Sequence, residues 1–113
     1  MLDLVTRMTA VEAEEAIRKD PKLTCLAKLP TEDLRSFCEI AVQSISIWDA
    51  GEDLPASAHC FHQLGRFGEH HGIPVTDIVW ALKRIQAEPP EDAETLMDVA
   101  RYYIIRGYED ASR

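Results

Sequence analysis

Apolar residues in this chain recur at every third or fourth position, in runs separated by proline and glycine, and nowhere do they alternate with a period of two. The first spacing lines one face of an α-helix, whereas the second is what a half-buried strand requires. The fold class is therefore expected to be all-α. The longest run, from Thr31 to about Ala50, puts Leu34, Phe37, Cys38, Ala41, Ile45 and Trp48 on one face. Ile40 and Ile47 widen that face, as for a helix touching two neighbours. A run from about Ala56 to His71 turns Phe61, Leu64, Gly65 and Gly68 inward and stops at Gly72. Two glycines on one face cost about 1 kcal/mol each in helix propensity, so a neighbouring helix is expected to approach closely there. Thr76 or Asp77 is expected to cap the next helix, which carries Ile78, Val79, Leu82 and Ile85 and ends before Pro89–Pro90. Ala93, Leu96, Met97, Ala100, Tyr103, Ile104, Gly107, Tyr108 and Ala111 form the last stripe.

Ahead of these runs, Thr9 and Glu12 have the spacing of a capping box and open a short helix to about Arg18. Thr31 is expected to cap the long helix, and Asp20 to Leu29 reads as one or two loose turns. Gly51 and Gly72 sit where helices end. With 113 residues, short connections and no internal repeat, residues 1–113 are expected to form one domain. Its natural architecture is an antiparallel up-down four-helix core with an additional N-terminal helix packed across it. Area scaling lets a chain of this mass bury about two thirds of its surface, so the core needs neither disulfide nor metal.

Charge narrows the partners. Twenty acidic residues against twelve Lys and Arg give a net charge of -8, with no basic cluster. Nucleic acid and anionic membrane surfaces both select for such clusters, so neither is an expected partner. The longest apolar runs, such as Tyr102 to Ile105, fall far short of a membrane span. The opening residues carry an acid at Asp3 and no apolar signal core. Cys25, Cys38 and Cys60 are an odd set without CxxC spacing, which reads as a reduced, cytoplasmic protein using thiols as small apolar residues.

Candidate chemistry is sparse. His59 and His62 share a helical face with Cys60 between them, the arrangement a metal or haem site needs. Set against that, His59 suits a helix start, and His70 and His71 suit the negative end of a helix dipole. Cys60 is a candidate redox thiol if exposed and an inert apolar residue if buried. The acid pairs Glu14–Glu15, Glu52–Asp53 and Glu91–Asp92 read as solvated charge. No serine-hydrolase elbow or phosphate-binding glycine loop occurs, so an enzyme is not expected. Val99, Tyr102 and Ile105 lie away from the main stripe of the last helix, and Trp80 lies away from the Ile78–Leu82–Ile85 stripe. Spare apolar area of that kind marks a partner surface, and like subunits pair most simply about a two-fold axis. Asp98, Arg101 and Arg106 flank it as surface ion pairs able to fix register.

The stretch from Leu64-Gly65 through Gly72-Ile73-Pro74-Val75-Thr76-Asp77-Ile78-Val79-Trp80-Ala81-Leu82, followed by Met97-Asp98-Val99-Ala100-Arg101-Tyr102-Tyr103 and Gly107-Tyr108-Glu109, resembles the amino-terminal sensor domain of RsbR-type proteins, the stressosome co-antagonists. Similar modules precede some bacterial sensor kinases. Val75 stands where that pattern has Leu, and Asp77 where it has Glu. The resemblance implies a dimeric, non-haem, globin-like bundle that senses an input and passes it to an output domain. Residues 1–113 themselves contain no output domain, so a free-standing sensor and a fragment are both expected possibilities. The expected function is thus a non-enzymatic signalling module without a cofactor. It would act as a homodimer on a partner protein, with Trp80, Val99, Tyr102 and Ile105 at the interface. The alternative is a metal- or haem-binding sensor using His59, His62 and Cys60.

Overall fold

Helix boundaries follow from a few local hydrogen bonds. The structure, a computed structural model, describes residues 9–50, 54–86 and 93–113. Its regular elements are α1 (Ala10–Lys19), a single 3-10 turn (Pro21–Leu23), α2 (Thr24–Ala27), α3 (Thr31–Ala50), α4 (Leu54–His71), α5 (Val75–Ile85) and α6 (Ala93–Ala111). Among the described residues there is no strand. The expectations placed on Gly51, Glu52–Asp53, Pro89–Pro90 and Glu91–Asp92 lie outside the described residues.

The capping box forms as its spacing requires. The Glu12 amide donates to Thr9 Oγ1 at 3.2 Å, and the Thr9 amide donates to Glu12 Oε1 at 3.0 Å. Asp20 ends α1 and at once caps the 3-10 turn, its Oδ1 accepting the Lys22 amide at 2.9 Å. α4 ends in a Schellman turn: Gly72 takes φ 71°, its amide bonds Glu69 O, and the Ile73 amide bonds Gly68 O at 2.7 Å. Two caps differ from expectation. α5 begins at Val75 with Pro74 as its N-cap and no side-chain cap, so Thr76 and Asp77 are already inside the first turn. Pro74 enters at φ -62° and ψ 149°, and its carbonyl accepts the Asp77 and Ile78 amides; the fixed ring angle leads directly into the helix. Thr31 is likewise the first residue of α3, and its hydroxyl accepts a hydrogen bond from Arg18 at 3.4 Å.

The buried stripe of α3 (Leu34, Phe37, Cys38, Ala41, Ile45) meets Phe61 and Leu64 of α4, while Ile78, Leu82 and Ile85 of α5 and Leu96, Ala100 and Ile104 of α6 complete one core. Ala13, Ile17, Leu23 and Leu26 extend it beneath the N-terminal turns. Each large side chain buried here contributes about 1.5–3 kcal/mol. α3 lies against α1, α4 and α5, which is why Ile40 and Ile47 are half-buried instead of solvated. Among the described residues, the buried Ser57 Oγ and Gln86 Nε2 meet no hydrogen-bond partner.

α4 and α6 form the most extensive helix contact, and glycine sets its depth. A Cβ on Gly65 would overlap the Ile104 carbonyl oxygen and come within 2.8 Å of the Tyr108 amide nitrogen. A Cβ on Gly107 would overlap the His62 carbonyl oxygen. The two helices thus touch backbone to backbone, and this close approach offsets the propensity cost of glycine in each.

Candidate functional site

Because Ala100, Ile104 and Gly107 of α6 are held inward, helical geometry turns the opposite row of α6 to solvent. That row carries Thr95, Asp98, Arg101, Tyr102, Ile105, Arg106 and Glu109, all exposed. Its two large apolar members are 54% (Tyr102) and 39% (Ile105) exposed. The Tyr102 ring stands edge-on to Tyr103 at 4.9 Å, and its hydroxyl accepts from Arg106 at 3.4 Å. Asp98 pairs with Arg101 at 3.6 Å. Of the four residues expected at an interface, Tyr102 and Ile105 therefore point outward. Val99 and Trp80 are half-buried and packed against the core.

Trp80 has a second engagement that no spacing announced. Its indole N–H donates to Asp20 Oδ2 at 3.0 Å, Lys22 Nζ lies 4.2 Å above its ring, and Arg84 Nε pairs with the same Asp20 oxygen at 3.2 Å. The Trp80 N–H and the Lys22 amide hold the Asp20 carboxyl below the usual aspartate range. This corner ties the turn after α1 to α5. A matching tie joins α1 to α3: Glu14 accepts from Arg18 and Arg35, each at 3.4 Å, and Arg18 reaches Ala27 O at 3.3 Å. Glu14 is thus a half-buried bridge, a correction to its reading as solvated charge.

His59 and His62, both on α4, have different surroundings. His59 lies in the second turn of α4 and is exposed, while Cys60 is buried. His62 Nε2 sits 2.7 Å from Asp110 Oδ2, linking α4 to α6. The His62 contact holds the Asp110 carboxyl below its ordinary range. Among the described residues no three His, Cys, Asp or Glu side chains converge as a metal site would need. Burial pushes the Cys38 thiol up to about 12 and also raises Cys60, whereas Cys25 is exposed.

An open groove of about 340 Å³ runs along Arg66, Phe67, Glu69, His70 and His71 of α4 to Ala111 of α6. Phe67 stacks at 4.2 Å on His71 and at 5.5 Å on Phe37. No spacing within one helix announces this groove, because its lining is drawn from both α4 and α6. Among the described residues no helix is long and apolar enough to cross a membrane. Comparison with protein-family models, curated proteins and solved structures found no match to this chain.

Proposed function

We propose that this chain is a non-enzymatic sensory or signalling module of the RsbR amino-terminal type. In this reading the helices form an antiparallel, globin-like four-helix core with an N-terminal helix across it, in the bacterial cytoplasm. Two copies pair through the later helices, and a signal passes to a partner protein as a small shift in how the helices pack. A close-packed bundle suits that role because its arrangements are discrete and do not deform continuously. The observation that carries the reading is the outward placement of Tyr102 and Ile105 on a helix whose other face is locked into the core. An aromatic ring with a polar tip is the residue type that association surfaces favour. Asp98, Arg101 and Arg106 around it supply charge that selects the partner. Static light scattering on purified protein across a concentration series tests the pairing. The expected result is a mass rising from one chain toward two; a mass fixed at one chain up to millimolar concentration overturns it.

A further inference from the structure

We infer that the occupant of the exposed α6 face is the α6 of a second copy, running antiparallel and centred on Tyr102; this rests on the homodimer reading and adds its direction and register. Asp98 and Arg106 lie four residues on either side of Tyr102, one helical turn each way and on the same exposed row. A two-fold axis perpendicular to the helix at Tyr102 therefore sets Tyr102 beside its own copy. It also brings Asp98 of each chain level with Arg106 of the other, giving two ion pairs by symmetry. Parallel pairing does the opposite, placing Asp98 against Asp98, Arg106 against Arg106 and Glu109 against Glu109. The charge pattern thus rejects one direction and supports the other.

The existing partners of these groups leave them free to exchange. Among the described residues, Asp98 is paired with Arg101 at 3.6 Å, and Arg106 with the Tyr102 hydroxyl at 3.4 Å and its ring face at 5.6 Å. All four side chains are exposed. The Tyr102 ring offers a neighbouring chain a flat apolar surface at the axis, and Ile105 lies beside it. A single helix face buries less than the roughly 800 Å² per partner typical of stable complexes, so the dimer is reversible and forms at high protein concentration.

Charge reversal and cross-linking test the register on the full chain. Asp98→Arg and Arg106→Asp should each weaken dimerisation by on the order of tenfold in sedimentation equilibrium, since each replaces two attractions by two repulsions. The double variant should restore it. In a Cys25→Ser background, a mixture of Asp98→Cys and Arg106→Cys chains should form a mixed disulfide, and neither chain alone should. Self-cross-linking of Asp98→Cys, or a double variant no tighter than the singles, overturns the antiparallel register while the dimer itself stands. Wild-type protein that stays monomeric and forms no cross-link overturns the dimer reading and this inference together. Circular dichroism of each variant confirms that loss of pairing is not loss of fold; should a reversal variant unfold, the cross-linking arm decides alone.

Discussion

Gly65→Ala isolates the feature on which the α4–α6 contact depends. In an ordinary helix interior the change stabilises by about 1 kcal/mol through propensity. Here the new Cβ would overlap the Ile104 carbonyl oxygen and lie 2.8 Å from the Tyr108 nitrogen. Both are backbone atoms, so no rotamer change relieves the clash and the two helices must move apart. Overpacking of this kind costs about 1–3 kcal/mol, and contact with rigid backbone on the most extensive helix interface places it at the top of that range. The net expectation is a loss of about 2 kcal/mol. For a chain of this length that is a fall of about 8 °C in Tm, measured by circular dichroism at 222 nm and checked by urea unfolding. Gly107→Ala forces the same separation from the other side against the His62 carbonyl, so the double variant should cost less than the sum of the singles. A Gly65→Ala protein as stable as wild type would refute the backbone contact.

The remaining predictions concern the polar ties and the thiols. The Asp110 carboxyl is held below its ordinary value by His62, so its contribution is complete above the unfolded aspartate pKa near 4 and is lost as pH falls through the lowered value. Asp110→Asn should therefore flatten the acid limb of a stability–pH curve below pH 4; an unchanged limb would show that the pair contributes nothing there. Asp20→Asn weakens the Trp80 and Arg84 contacts and the Lys22 cap together. In a Trp48→Phe background it should shift Trp80 fluorescence to longer wavelength, and an unmoved spectrum would mean that the indole does not depend on this carboxylate. Under native conditions a thiol reagent should label Cys25 alone, with Cys38 and Cys60 reacting only after denaturation, because both are buried with raised thiol pKa values. Rapid labelling of Cys60 would contradict its inward placement.

Helix content and core membership were legible because each stripe repeats at a spacing that only a helix can use. Phe37, Phe61, Leu82 and Ile104 all lie where their intervals put them. The glycine pattern forecast a close approach at Gly65, but its counterpart across the contact was hidden: Gly107 looks like any other small residue on a stripe until α6 is laid on α4. The polar ties were illegible for a different reason. Asp20 and Trp80 stand sixty residues apart and His62 and Asp110 forty-eight, and periodicity within one helix carries no information about a partner on another. Glu14 could have been suspected from Arg18 four residues on, yet its second partner Arg35 is set by tertiary structure alone. The start of α5 was misplaced because hydroxyl and carboxylate caps are the commoner signal, while Pro74 sets the entry geometry by ring constraint alone.

The claim that the exposed row of α6 is an association surface is tested most directly by a dilution series of amide ¹H–¹⁵N spectra from millimolar to low micromolar protein. Resonances of Asp98, Tyr102, Ile105 and Arg106 should move together with one dissociation constant, while those of Ala100 and Ile104 on the core face move least. Spectra that superimpose at every concentration would contradict the account, as would shifts confined to the Phe67–His71 groove.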